Sequence, residues 1–192
     1  MLKCIICEAF SFHIICKKCQ KNLLTPAFYK RELEKDFFVY SFYNYSDIKE
    51  LLNSKYHFYG NRVFSILANL SFLQFSKNFI YSNRVFAIPI DDHTRHQFSQ
   101  SAILANALAS KYIKPIYSTL KATKIVKYAG KSKEFRKTHK RDFIYTGKQN
   151  IQVILVDDLV TTGTTILEAK QKLEEYGCEV LFALTLSDAS IN

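Results

Sequence analysis

Two stretches of this sequence place reactive residue types at spacings that can do chemistry. In the first, the apolar run Val153-Ile154-Leu155-Val156 leads directly into Asp157 and Asp158, and Leu159-Val160 then leads into Thr161, Thr162, Gly163, Thr164 and Thr165 before an apolar-periodic segment. An apolar strand that delivers two carboxylates to its carboxyl end and then turns into a helix sets them where open α/β sheets bind ligands. The first N–H groups of that helix lack internal partners and sit at the positive end of its dipole. Together with the threonine hydroxyls they can surround a phosphate, and Gly163 lets the backbone approach it closely. Carboxylates aimed at a phosphate would repel it, but a few ångströms away they can accept hydrogen bonds from vicinal hydroxyls. Phosphate beside a diol describes a ribose 5-phosphate.

The second stretch is Cys4-x-x-Cys7 followed by Cys16-x-x-Cys19, with a spacer of eight residues from Glu8 to Ile15. Each pair turns two thiolates onto one side of a tight knuckle, and two facing knuckles supply the tetrahedral sulfur set that zinc prefers. The spacer is shorter than the roughly 15–20 residues common in four-cysteine sites, so the ribbon must be compact, and His13 is an alternative fourth ligand. Paired disulfides or inert thiols are the other reading, disfavoured in a chain without a secretion signal. Cys178 stands alone after Gly177 and reads as a small buried hydrophobe.

The elements that must position these groups follow from periodicity. Residues 37–45 are aromatic-rich and strand-like, and Asp47 with Glu50 forms a capping signal for a helix presenting Ile48, Leu51 and Leu52. A second helix follows Gly60, with Val63, Ile66, Leu67 and Leu70 on one face. Residues 85–90 read as a buried strand, with Ile103, Leu104, Ala107 and Leu108 marking the helix after it. Residues 151–156 form another strand, followed by a helix bearing Ile166, Leu167, Ala169, Lys170 and Leu173 and by a strand over 180–186. Strands alternating with helices predict an α/β fold with a mainly parallel sheet flanked by helices, behind a small N-terminal zinc ribbon. The predicted division is a ribbon over residues 1–30 and an α/β domain over 31–192.

With 192 residues, 48% hydrophobic and 23% charged, the chain has apolar mass for one core and is too short for two catalytic domains. No run approaches the ~18 uninterrupted apolar residues of a membrane-spanning helix, and no leader peptide frames the N-terminus, so the expected address is cytoplasmic. The formal charge is +10. Residues 111–148 hold 12 Lys or Arg against Glu134 and Asp142, a surplus equal to that whole charge. Such a segment attracts polyanions, either a nucleic-acid backbone or a small phosphorylated ligand. The 12 Tyr and 16 Phe are spread along the chain, which assigns them to core and sheet surface.

The threonine-glycine stretch resembles the phosphoribosyl diphosphate (PRPP) signature of type I phosphoribosyltransferases. Asp157 and Asp158 match its ribose-binding acidic pair, and Thr161, Thr162, Gly163, Thr164 and Thr165 match its 5-phosphate loop. A Walker loop is excluded because the Gly-Lys-Ser at residues 130–132 has Ile125 where that motif needs its first glycine. The order of features extends the likeness. A four-cysteine ribbon, Lys55 ahead of Gly60, Ile88-Pro89-Ile90 before Phe98-Ser99-Gln100-Ser101, a basic segment and the PRPP loop resemble the ComF family of bacterial competence proteins along almost the full chain. The pattern departs from that family at His96-Gln97-Phe98-Ser99-Gln100, where members show Arg-Gly-Phe-Asn-Gln, and at residues 131–136, where a glutamine-rich loop is usual.

The resemblance implies a type I phosphoribosyltransferase-like fold with a structural zinc finger, binding PRPP with Mg²⁺ and single-stranded DNA during natural transformation. It implies a cytoplasmic place, peripheral at the inner membrane beside DNA-uptake proteins. Candidates for the diphosphate and Mg²⁺ are Asp91, Asp92 and Arg95, and candidate catalytic residues are Lys133 and Arg136. Lys131, Lys133, Arg136, Lys137, Lys140 and Arg141 are the nucleic-acid candidates, and Cys4, Cys7, Cys16 and Cys19 the metal ligands. Thr161 stands where purine-salvage enzymes carry an aspartate, which argues against hypoxanthine or guanine as acceptor. Two alternatives stay open: a conventional phosphoribosyltransferase of nucleotide salvage or amide transfer, and a catalytically inactive PRPP-binding scaffold.

Overall fold

The computed structural model describes residues 2–90, 98–123 and 141–190. The chain opens with a two-stranded antiparallel ribbon, β1 (Leu2–Lys3) and β2 (Phe10–Ser11), and the short helix α1 (Lys17–Leu23). The body follows with β3 (Tyr29–Glu34), β4 (Phe37–Asn44), α2 (Tyr45–Asn53), a 3-10 turn (Ser54–Tyr56), α3 (Gly60–Leu70), α4 (Phe72–Asn78) and β5 (Val85–Pro89). It continues with α5 (Gln100–Ala107), β6 (Ile113–Pro115), β7 (Leu120–Ala122), β8 (Phe143–Tyr145), β9 (Gln152–Val160), α6 (Thr164–Glu174) and β10 (Glu179–Asp188).

Six strands form one sheet in the order β3-β4-β10-β9-β5-β6, and β7 pairs with β8 in a separate hairpin. The five strands from β4 to β6 run parallel, while β3 lies antiparallel on β4 at the edge. The central strand β9 explains the continuous apolar run: Val153, Ile154, Leu155 and Val156 are all fully buried, because helices or the hairpin cover both faces. Alternate residues feed two cores. Ile154 and Val156 join Leu184, Phe64, Leu67 and Leu104 on one face. Val153 and Leu155 join Ile166, Leu173, Leu120, Phe143 and Tyr145 on the other.

The crossovers place the crevice. From β5 the chain crosses through α5 on the first face to β6. From β9 it crosses through α6 on the opposite face to β10, in the other direction along the sheet. The carboxyl ends of β5 and β9 therefore border a topological switch point, where the two connections part and leave room for a ligand. Hydrogen bonding from the Ile90 N–H to the Val156 carbonyl at 2.8 Å keeps the strands together up to that opening.

Several sequence expectations shift in detail. The helix read from Asp47 and Glu50 begins at Tyr45 with Asn44 at the cap position, because β4 runs straight into it; Asp47 lies in the first turn, where its charge suits the dipole. In α3 the fully buried stripe is Val63, Phe64, Leu67 and Ala68, leaving Ile66 and Leu70 half-buried. The strand expected to end at Val156 continues through both aspartates to Val160. β3 and the β7–β8 hairpin had no clear periodic signal.

The ribbon packs on the body. Cys4, Ile15, Cys19 and Leu24 belong to the same buried apolar cluster as Phe42, Leu51 and Phe72, and the Tyr43 hydroxyl donates to the Leu24 carbonyl at 3.1 Å.

Candidate functional site

The acidic pair sits near the carboxyl end of β9. Adjacent residues of a strand project to opposite faces, so Asp157 and Asp158 straddle the sheet at its open edge. Asp158 is 7% exposed and bonds the Lys55 ammonium at 2.8 Å. Burial disfavours the charge on Lys55, but the neighbouring carboxylate of Asp158 outweighs it and raises the lysine pKa. Lys55 lies in the 3-10 turn, and Gly60 holds that turn against the body. A Cβ on Gly60 would stand 2.3 Å from the Ser54 carbonyl oxygen and 2.7 Å from the Phe98 ring, so only glycine permits this approach.

Asp157 accepts the Asp158 N–H at 2.8 Å. Burial, and then the charge of Asp158, push its pKa up to about 8, with Arg141 and Lys55 opposing the rise. The two carboxyls thus sit in different surroundings: Asp158 is paired with Lys55, while burial holds the Asp157 carboxyl well above the usual carboxylate range.

Beyond Val160 the chain turns through Thr161, Thr162 and Gly163 into α6. Gly163 has φ +82°, the left-handed region, and occupies the N-cap position. The Thr162 and Thr164 hydroxyls are 3.0 Å apart. A small cleft of about 30 Å³ opens here, lined by Asp157, by the loop from Thr161 to Thr165, and by flanking Leu159, Val160 and Ile166. The structure thus brings together Asp157 and all five loop residues. Asp158 stands behind them on Lys55.

Of the remaining candidates, Asp91, Asp92, Arg95, Lys131, Lys133, Arg136, Lys137 and Lys140 lie outside the described residues. Arg141 is described: its backbone N–H donates to Glu168 Oε2 at 2.9 Å, and its charge is felt at Asp157. Sequence reasoning gave no role to Lys55, whose partner is 103 positions away. It also overlooked Arg31, which donates to the Thr161 carbonyl at 2.9 Å. The available signal for Arg31 was the alternation in β3, where Tyr29, Arg31 and Leu33 are half-buried between exposed neighbours.

As an expected result, Gly163→Ala lowers the thermal midpoint by about 2–8 °C, because a left-handed alanine costs about 1–2 kcal/mol in a chain of this size. Its new Cβ would also meet Leu33 Cδ2 at 2.6 Å. Adding Leu33→Ala should relieve that clash but not the backbone strain. A midpoint unchanged in Gly163→Ala, followed by circular dichroism, would contradict the left-handed geometry.

The cysteine cluster is a second site. The sulfurs of Cys4, Cys7, Cys16 and Cys19 all lie within 4.8 Å of one another, and those of Cys7 and Cys16 are 3.7 Å apart. A tetrahedron of Zn–S bonds has sulfur edges of about 3.8 Å, so the donor set fits zinc. Cys4 Sγ accepts the Cys16 N–H at 3.3 Å, and Cys16 Sγ accepts the Cys19 N–H at 3.4 Å. Burial pushes the Cys4 thiol up, but N–H groups of Cys16, Cys7 and Ile6 outweigh it and bring it down to about 6. Burial and the three other sulfurs push Cys19 up to about 12. His13 is exposed and outside this group.

Residues 99–190 match the phosphoribosyl transferase domain family. That stretch includes β9, the threonine-glycine loop, α6 and β10. The chain is a mixed α/β protein carrying a phosphoribosyltransferase domain, with a mostly parallel sheet and an N-terminal cysteine cluster able to hold zinc. The match makes phosphoribosyl transfer the candidate activity.

Among solved structures, adenine phosphoribosyl transferase from Trypanosoma brucei, in complex with AMP, pyrophosphate and ribose-5-phosphate, aligns with 14% identity and TM-score 0.44 over 85% of this chain and 87% of that one. Leishmania donovani UMP synthase aligns with 20% identity and TM-score 0.38 over 66% of this chain and 22% of that one. A hypoxanthine phosphoribosyltransferase from Staphylococcus aureus gives 14% identity and TM-score 0.39 over 65% and 62%. The chain thus spans about a fifth of the UMP synthase and under two thirds of the hypoxanthine enzyme. No curated protein matches the sequence. Among the described residues, no helix is long and apolar enough to cross a membrane.

Proposed function

We propose that this protein is a ComF-like competence protein that binds PRPP with Mg²⁺ and single-stranded DNA and supports DNA uptake in natural transformation. The observation that carries the PRPP half is the cleft at the switch point, where the threonine-glycine turn and Asp157 line one opening. In this reading the loop N–H groups and hydroxyls take the 5-phosphate, and Asp157 and Asp158 take the ribose hydroxyls. Lys55 holds Asp158 in place through their ion pair at 2.8 Å. Asp91, Asp92 and Arg95, which follow β5 in the sequence, are the proposed diphosphate and Mg²⁺ side, and Lys133 and Arg136 the proposed catalytic residues. The net charge of the segment over 111–148 supports a polyanionic partner. The zinc ribbon is structural, since four thiolates leave no open coordination position. The proposed setting is cytoplasmic, peripheral at the inner membrane and next to the uptake proteins.

A second reading, a conventional phosphoribosyltransferase, is favoured by the domain match. The test has two arms. Calorimetry with PRPP and Mg²⁺ should show binding to the wild type. Single-stranded DNA binding should weaken with salt, and neutralising Lys131, Lys133, Arg136, Lys137, Lys140 and Arg141 should flatten the log–log slope by about 0.7 for each phosphate no longer neutralised. A wild-type slope near zero, or one unaffected by the six changes, removes the DNA half. Release of pyrophosphate with a free nucleobase would favour the second reading.

A further inference from the structure

We propose that Arg31 is a positioning residue of the phosphate cradle: its guanidinium, anchored on the buried Asp188, fixes the Thr161 peptide and so presets the loop for a phosphate. This inference rests on the reading of the loop as a 5-phosphate site.

Arg31 extends from β3, the antiparallel edge strand, and Asp188 ends β10. The Arg31 Nε and Asp188 Oδ2 face each other at 2.9 Å, with Asp188 fully buried and the arginine side chain 24% exposed. That contact is an ion pair too oblique for a hydrogen bond, for neither atom has a hydrogen-bond partner among the described residues. The other carboxylate oxygen accepts the Ser190 N–H at 2.8 Å and the Ser190 hydroxyl at 2.7 Å. Arg31 Nη1 then spans two acceptors, Ser190 Oγ at 2.6 Å and the Thr161 carbonyl at 2.9 Å.

One planar cation thereby ties the end of β10 to the first residue of the loop. A buried carboxylate needs a cation, which accounts for Arg31 being drawn inward. The fork of N–H groups is what lets one side chain serve the carboxylate and the carbonyl together; a lysine has a single nitrogen to place.

The mechanical consequence lies in the peptide group. All described peptide bonds are trans. A trans peptide points its N–H opposite to its carbonyl, so drawing the Thr161 oxygen toward Arg31 turns the Thr162 N–H away from Arg31. Two residues along the same strand face, Leu33 packs against Gly163, with its Cδ2 only 2.6 Å from where a Cβ would stand. Arg31 and Leu33 together make β3 the outer wall of the loop: one fixes its first peptide, the other its left-handed turn. Glu34 adds an ion pair to Lys170 of α6 at 2.7 Å, holding the helix that the loop begins against the same strand. Preset N–H groups avoid the ordering cost that a flexible loop would incur when a phosphate arrives.

The test compares wild type with Arg31→Met and Arg31→Lys, at a temperature well below their unfolding transitions. Arg31→Met should weaken PRPP with Mg²⁺ and ribose 5-phosphate by the same factor, about tenfold, since both present the same phosphate to the loop. Arg31→Lys should recover part of that loss. A role confined to stability would lower the melting temperature and leave the affinity of the folded protein unchanged. In ligand-free protein, amide exchange at Thr162, Gly163, Thr164 and Thr165 should quicken in Arg31→Met. If wild type binds both ligands and Arg31→Met binds them equally well, the clamp is overturned and the phosphate reading stands. If wild type binds neither, the phosphate reading fails, and exchange decides the clamp: quickened exchange upholds it, unchanged exchange overturns it.

Discussion

Replacing both strand-end acids, Asp157→Asn with Asp158→Asn, should weaken PRPP binding by at least about a hundredfold while leaving inorganic phosphate binding nearly unchanged. The size follows from two hydrogen bonds between carboxyl groups and ribose hydroxyls, each worth about 1.5–3 kcal/mol when charged groups take part. Phosphate binding persists because its donors are on the loop and the start of α6. Asn keeps the shape of Asp, so the loss reports on charge and acceptor strength. The Asp158 change also leaves Lys55 without its ion-pair partner, so affinities must be read by calorimetry below the unfolding transition. An unchanged PRPP affinity in the double variant would defeat the diol assignment. Loss of phosphate binding as well would mean that the acids shape the loop itself.

The same pair produces a pH signature. The Asp157 pKa rises from 3.8 to about 8 in the folded protein. Between those values the unfolded chain releases a proton that the folded chain keeps, so the folded state loses relative stability as pH rises. Its contribution is fully present below about pH 4 and is gone above about pH 8, falling by at most about 1.4 kcal/mol per pH unit between them. The melting temperature of wild type should therefore drop between pH 5 and pH 8 relative to Asp157→Asn, which has no proton to lose there. Parallel profiles for the two proteins would show that Asp157 is already ionised, and that the acidic pair meets a ligand as two charges.

What could be read in advance was whatever the chain encodes locally. β9, α6 and β10 follow from a β-branched run, a threonine-glycine turn and a second apolar run, because a strand buried on both faces must be continuously apolar. Read from residue types alone, β9 ends at Val156, because two acids look like a loop. At the open edge of a parallel sheet the backbone pairing continues while side chains face a crevice, and Asp157 still pairs with Thr185 of β10. β3 was hidden for a related reason. Its inward positions include Arg31, and a cation at an inward position breaks the apolar alternation by which strands are recognised. Its partner Asp188 is 157 residues away, and the Lys55–Asp158 pair spans 103. Such long-range pairs leave no periodic trace in one sequence. The acids and the loop were therefore legible, and the cations that hold them were not.

With zinc held by the four cysteines as proposed, stripping it from the ribbon should destabilise the whole chain, not the first twenty residues alone. Structural zinc contributes an apparent ~10–16 kcal/mol in small finger peptides, as much as the entire folding free energy of a typical domain. The ribbon has little else to hold it, since its own sheet is two residues deep on each strand. Ile15 and Leu24 are 0% and 2% exposed, and they lie in one apolar cluster with Phe42, Ile48, Leu51 and Phe72. Releasing the ribbon uncovers that cluster, at about 1.5–3 kcal/mol for each large side chain exposed. It also removes the Leu24 carbonyl that accepts the Tyr43 hydroxyl beneath the sheet edge. A strong chelator, or Cys7→Ser with Cys19→Ser, should thus lower the melting temperature in one cooperative step. β4 leads from Tyr43 directly into α2 and then to the turn bearing Lys55, so PRPP affinity should fall along with stability. Metal content measured alongside the melt decides the matter. Full metal loss with an unshifted transition and intact PRPP binding would make the ribbon an independent attachment, and the shared apolar cluster would then contribute nothing to the stability of the sheet.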